Sequence, residues 1–271
     1  EALTMGLALA AALFGALQLL LERRSSSPMF PAEVFSQRAA VVTYLFGLAS
    51  GSILFAVLAY VPLFVQGVLH GSPTRAGLAL VPLSVTWTAA TFTIGWFSRR
   101  LGYRTVIISG GALVLAGVAT LLLLRASPSQ ALLYLGMSII GLGMASIVTA
   151  PTLAVQDIMP WSSRAMATAM MQFTRSLGGT FTVTLLGLVV TSRLRQALPP
   201  DVEHPGELLD PGRWTTLPPE VLAHSSAALS TGLHLAFWVT TALALAGLLT
   251  TLWFPDLRMS ASQSLSYTKQ Q

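Results

Sequence analysis

The chain has no cysteine and no asparagine among its 271 residues. The first absence removes disulfides, thiolate nucleophiles and thiolate metal sites. The second removes any acceptor for N-linked glycosylation. Lysine occurs once, at Lys269 in the polar tail, which rules out a retinal Schiff base inside a membrane span. Charge itself is scarce: 9% of the residues are charged and 54% are hydrophobic, whereas a soluble domain carries about 25% charged residues. This is the composition of an integral membrane protein.

Acids are few and unevenly placed. Of the ten Asp and Glu, five (Asp201, Glu203, Glu207, Asp210 and Glu220) sit in one polar connection late in the chain. The excess of basic residues, +5 in net charge, does not read as a nucleic-acid footprint. The arginines lie in short connections between apolar runs, where the positive-inside rule accounts for them.

Seven apolar runs are long enough to cross a bilayer: approximately 2–21, 40–66, 76–97, 105–124, 131–155, 165–191 and 232–254. The first begins at once from Glu1, without the basic leader of a signal peptide, and is read as a span entered part-way through a longer protein. The expected organisation is a first span at 1–21, a connection at 22–39, a six-helix bundle at 40–254 with a long outer loop at 192–231, and a polar tail at 255–271. Within that loop, PPEVLAHSSAALSTGLHL has the composition of a short surface helix. Taking alternate connections, nine basic residues fall on one side (Arg23, Arg24, Arg38, Arg99, Arg100, Arg104, Arg164, Arg258 and Lys269) and five on the other. The richer side is expected to be cytoplasmic, with the tail. His204, His224 and His234 lack any close metal-ligand spacing, so the loop is read as solvated and no metal or cofactor is expected.

One run departs from this apolar pattern. Between Gln156 and Val190 the residues Arg164, Thr168, Gln172, Arg175, Gly179 and Thr182 recur at helical spacing and form one polar stripe. Arg175 lies eleven residues beyond Arg164, about 16 Å along a helix. If Arg164 marks an interface of a bilayer core about 30 Å thick, Arg175 is near its middle. A charge there costs roughly 3 kcal/mol on insertion scales and usually turns inward to a partner or water. The stripe is read as lining a solute pathway, or else Arg175 ties helices together.

Weaker stripes run along Ser138, Ser146, Thr149, Thr152 and Gln156, and along Ser84, Thr88, Thr91 and Gly95. Pro62, Pro82 and Pro151 are each expected to free a backbone group inside a span, while Gly47, Gly51, Gly141, Gly143 and Ala145 allow close helix approach. The pathway candidates are Arg175, Gln172, Thr168, Gln156 and Thr149, with Trp87 and Met171 as adaptable apolar contacts.

Three stretches resemble a known family. YVPLFVQGVLHGSPTRAGLALVP (60–82) is similar to the segment joining two helices in the C-terminal half of the fourteen-helix drug:proton antiporters of the major facilitator superfamily. GWFSRRLGYRT (95–105) resembles the superfamily's loop signature, Gly-x-x-x-Asp-Arg-x-Gly-Arg, with Gly95, Arg99, Gly102 and Arg104 in register and Arg100 beside them. Ser98 stands where the signature has its acid, and Tyr103 is inserted before the final Arg, so a carboxylate-based latch is not expected here. PWSSRAMATAMMQFTRSLGGTFTV (160–183) resembles the entry into the penultimate helix, including the intramembrane Arg and the Gly pair.

The resemblance implies an all-α membrane protein: one linker helix followed by the C-terminal six-helix bundle of a transporter. It implies export of drugs or other small amphipathic molecules by proton antiport with alternating access, in a plasma or inner membrane. Small-molecule substrate, protons, lipid and an N-terminal six-helix bundle supplying the titrating acids would be the partners. A membrane enzyme would need a nucleophile–base pair, paired acids or a metal cluster within the spans, and none is present. A seven-helix ligand sensor and a non-transporting scaffold remain the alternative classes.

Overall fold

The computed structural model describes residues 38–124, 129–197 and 219–251. The expected first span, most of the connection after it and the tail lie outside the described residues. Those that are described are helical almost throughout. Helix α1 spans Arg38–Gly67, α2 Pro73–Leu78, α3 Val81–Leu101, α4 Tyr103–Leu123, α5 Gln130–Ile158, α6 Trp161–Ala197 and α7 Pro219–Thr251. Taking α2 and α3 together, six helical segments are long and apolar enough to cross a membrane. An all-helical solution follows from the solvent: in hydrocarbon each backbone N–H and C=O must be satisfied within the segment.

Pro82 stands at an interruption, as expected: the span Pro73–Leu101 breaks at Ala79–Leu80, and Pro82 lies in the first turn of α3 after the break, where a missing N–H is tolerated. Helix α2 starts on Ser72, whose side chain accepts the Arg75 N–H, with Pro73 in its first turn. Two boundaries differ from expectation. Both ends of the supposed outer loop are helical, since α6 runs on to Ala197 and α7 begins at Pro219. The stretch expected as a separate surface helix is therefore continuous with the last span.

Packing follows a repeated scheme. Helix α1 packs on α6 and α7, α5 packs on α3 and α4, and α4 meets α7. Exchanging α1, α3 and α4 for α5, α6 and α7 reproduces the scheme. Direction alternates along the chain: α1 and α6 run parallel, with Gly47 against Thr174 and Tyr60 against Val183, whereas α4 and α5 are antiparallel, with Gly110 against Ser146 and Gly117 against Ile140. With three spans in each unit, the two units cross in opposite senses, as an inverted repeat.

Lipid tails are as apolar as leucine, so helices are held here by close packing rather than by the hydrophobic effect. The tightest approach is between α1 and α6. A Cβ at Gly51 would run into the Arg175 backbone carbonyl, one at Gly178 into the Leu48 carbonyl, and one at Gly47 would lie 2.6 Å from Thr174 Oγ1. Ser52 Oγ donates to the Gly178 carbonyl at 3.1 Å and Tyr60 Oη to the Val183 carbonyl at 2.8 Å. The α3–α5 contact uses similar devices: Gly141 fits under Leu83, and Thr86 Oγ1 donates to the Ser138 carbonyl at 3.0 Å. Large side chains such as Ile107, Leu121, Met137, Ile140, Leu186 and Leu233 fill the space between these contacts.

Gly51→Ala should lower the midpoint of thermal unfolding in detergent, by the equivalent of about 1–3 kcal/mol for overpacking. Gly77→Ala, where a Cβ meets nothing within 4 Å, should be neutral or slightly stabilising. Equal midpoints for the two variants would show that the α1–α6 approach is looser than described.

Candidate functional site

The glycine seam decides where Arg175 stands. Its backbone lies against Gly51, near the middle of the 30 residues of α1. A helix of that length is about 45 Å long, matching a bilayer with its headgroup layers, so the level of Gly51 is close to mid-membrane. The side chain of Arg175 is half-buried. Its Nε is enclosed and has no hydrogen-bond partner among the described residues. An enclosed donor without a partner costs about 1–3 kcal/mol, and more when it belongs to a charged group. The two acids among the described residues, Asp157 and Glu220, belong to the ends of α5 and α7, away from this level.

The polar stripe of α6 divides into three parts. At its beginning, Arg164 is occupied locally: Nε donates to the Met159 carbonyl at 3.1 Å, and the guanidinium lies 5.5 Å from the Trp161 ring centroid. Next comes a link between helices. Gln156 Nε2 donates to Thr168 Oγ1 at 3.3 Å, and Thr168 donates to the Arg164 carbonyl at 2.9 Å. Beside it, Thr152 Oγ1 donates to the Val148 carbonyl at 2.7 Å and lies 3.7 Å from Met171 Sδ. Gln172 is exposed. Farther on, Gly179 and Thr182 are buried, Gly179 against the Phe55 ring.

The structure thus joins Gln156 to Thr168 and sets Gln172 and Arg175 within one turn of each other. It does not bring in the remaining candidates. Thr149 is half-buried on α5. Trp87 lies on α3, beside a shallow hollow of about 360 Å³ that it shares with Ser84, Thr88, Thr91 and Phe92. Among the described residues no hydrogen bond or ring contact joins Trp87 to α6. The hydroxyls of the two weaker stripes mostly bond their own helices: Ser84 to the Leu80 carbonyl at 3.2 Å, Thr91 to Trp87 at 2.9 Å and Ser138 to Tyr134 at 2.8 Å.

Under the Gln156–Thr168 link lies a feature that spacing alone did not single out. Tyr44, Val155, Met159, Ala167, Met170 and Met171 form a small core of their own, separate from the main one. Methionine is unbranched and adaptable, so α1, α5 and α6 meet at this end through a soft layer rather than an interlocked one.

The basic loop is built on a glycine. Gly102, at φ 83°, takes a conformation open to little else and joins α3 to α4. Arg100 stacks over Trp96 at 4.3 Å from the ring centroid. The loop has no acid of its own, yet a carboxylate does engage it: the inserted Tyr103 donates its hydroxyl to Asp157 Oδ2 at the end of α5. Tyr103 and Asp157 are 54 residues apart, and the insertion was the sole visible sign of the contact.

A family model described as the Major Facilitator Superfamily matches residues 2–183. The multidrug transporter protein MdtP of Bacillus subtilis is 29% identical over 175 residues, covering 65% of this chain and 32% of that protein. The multidrug resistance protein Stp of Mycobacterium tuberculosis is 29% identical over 192 residues, 69% of this chain and 35% of that one. The efflux transporter pyiT of Pyricularia grisea is 30% identical over 186 residues, 68% and 30% respectively. The chain therefore spans about a third of the length of these curated relatives. In three dimensions it is similar to the E. coli fucose:proton symporter FucP, with a TM-score of 0.55 at 20% identity, over 83% of this chain and 53% of that chain.

Tyr103→Phe and Asp157→Asn should each reduce thermal stability by about 1 kcal/mol, at the low end for a charge-assisted bond because Asp157 is exposed. The double variant should be no worse than the poorer single one. Additive losses would mean that the two side chains act independently.

Proposed function

The chain belongs to the Major Facilitator Superfamily, and on that premise we propose that it forms the C-terminal half of a secondary active transporter exporting drugs or other small amphipathic molecules. Export runs by proton antiport and alternating access. What carries this reading is Arg175, a guanidinium level with the middle of α1 whose enclosed Nε has no partner among the described residues. A charge at that depth belongs to a pathway or a counter-charge. Proton coupling needs a titrating group within the membrane, and the acids that supply it lie in the partner N-terminal bundle, facing Arg175.

Arg175 and Gln172 line the pathway, with the Gln156–Thr168 link, Thr149 and Met171 along its wall. Trp87 contributes from α3 as the two bundles close. Helices α3 and α6 support this arrangement, since they leave large apolar side chains uncovered: Phe92 is 83% and Phe181 72% exposed. The names of the relatives MdtP, Stp and pyiT point to efflux of this substrate class. The end carrying Arg38, Arg99, Arg100 and Arg104 is cytoplasmic, as is the tail, and the membrane is the plasma or inner membrane. The basic loop with its Tyr103–Asp157 contact braces that face. The segment 1–21 acts as the linker helix.

In proteoliposomes containing the whole transporter, Arg175→Ala should reduce pH-gradient-driven dye efflux by at least about tenfold, the equivalent of 1.4 kcal/mol. Arg175→Lys, which keeps the charge but not the planar fork, should retain a substantial part. Unchanged efflux in Arg175→Ala would reassign the residue to helix packing.

A further inference from the structure

At the opposite end from the basic loop, where α1 and α5 meet α2, there is a cavity of about 190 Å³ that the proposed pathway does not use. Its floor is apolar, with Val65, Ala79 and Leu133 all buried. Its rim is polar, with Arg75, Gln130 and Tyr134. No described carboxylate lines it.

The rim is held in place by a tightly folded turn. The Gly71 N–H donates to the Val65 carbonyl at 2.9 Å, and Ser72 Oγ accepts the Arg75 N–H at 3.3 Å. A Cβ on Gly71 would lie 2.9 Å from Val65 Cγ1 and 3.6 Å from Arg75 Cβ, so this glycine lets Arg75 close down beside Val65. His70 takes a positive φ of 51° to complete the turn, a conformation a non-glycine residue adopts at some energetic cost. On the other wall, Gln130 Nε2 donates to Tyr134 Oη at 2.6 Å. A phenol oxygen that accepts in this way keeps its own proton free to donate elsewhere. Arg75 is exposed and spends its guanidinium on no ion pair or hydrogen bond among the described residues.

The rim therefore offers a guanidinium and a phenol O–H, both donors, above an apolar floor. The depth is also informative. A helix as long as α1 reaches from one headgroup layer to the other, and the cavity lies at its last turn. Arg and Tyr at such a level often serve only as interfacial anchors. Anchors do not need a hollow of this volume or a rim oriented by a Gln–Tyr bond.

We propose that this cavity binds the anionic head of an amphiphile: a phosphate or carboxylate on Arg75 and Tyr134, with the start of an alkyl chain on Val65, Ala79 and Leu133. The shared chemistry fits a membrane phospholipid or a soluble amphipathic anion. The site does not depend on the transport reading.

Native mass spectrometry of the full chain, delipidated in neutral detergent, tests it with phosphatidylglycerol, phosphatidylcholine, octanoate and inorganic phosphate as probes. One phosphatidylglycerol should bind in preference to phosphatidylcholine. Arg75→Gln should weaken it about tenfold and Tyr134→Phe about threefold, as expected for charge-assisted and neutral hydrogen bonds. Arg75→Lys should fall between wild type and Arg75→Gln, and Arg193→Gln, at the same end, should leave binding unchanged. Competition by octanoate would identify the occupant as a soluble amphipathic anion, and its failure to compete would identify a phospholipid; both support the site. Equal binding of phosphatidylcholine, equal effects of Arg75→Gln and Arg193→Gln, or competition by inorganic phosphate as strong as by octanoate would overturn it. Melting curves confirm that each variant is folded, and Arg75→Lys keeps the test decisive should Arg75→Gln unfold.

Discussion

Backbone contact between α1 and α6 is the constraint on which the rest of the structure depends. Water is absent from the bilayer core, so nothing drives two apolar helices together except the fit of their surfaces. Gly47 and Gly51 on one helix and Gly178 and Gly179 on the other remove the side chains that would hold them apart. The resulting proximity lets Ser52 and Tyr60 reach carbonyls of α6. It also leaves Arg175 no choice of depth, because its own carbonyl is part of the contact. The depth of this half-buried arginine is thus fixed by a joint made from the smallest residues available.

Around that joint, the polar groups fall into two populations. Most hydroxyls of α3 and α5 return to carbonyls of their own helix, which satisfies them without contributing a site. A smaller set reaches across: Thr86 to Ser138, Gln156 to Thr168, and Tyr103 to Asp157. These crossing bonds do not all have the same support. The first accompanies a glycine-tight contact, whereas the second rests on the methionine layer of Met159, Met170 and Met171. The bundle thus combines a rigid joint with a compliant one.

Much of this was legible in the apolar runs. Six of them became helices, because a segment of that length in hydrocarbon has few other ways to satisfy its backbone. The glycines identified as packing positions are packing positions. Boundaries were less legible, since hydropathy marks where the bilayer ends and not where the helix ends. Arg193 and Gln196 look like loop residues but lie in the last turns of α6. Pro82 did mark an interruption, since the span Pro73–Leu101 breaks at the two residues just ahead of α3. At the site, periodicity placed Arg164 and Arg175 on one face without revealing that Arg164 is taken by Met159 and Trp161. The Tyr103–Asp157 contact depends on how α4 lies against α5, which no local pattern encodes.

The seam between α1 and α6 has a mechanical consequence. Its contacts run from Gly47 against Thr174, through Gly51 against Arg175 and Gly178 against Leu48, to Tyr60 against Val183. Held at successive levels rather than at one point, α6 resists tilting against α1, and the pair behaves as a single stiff strut.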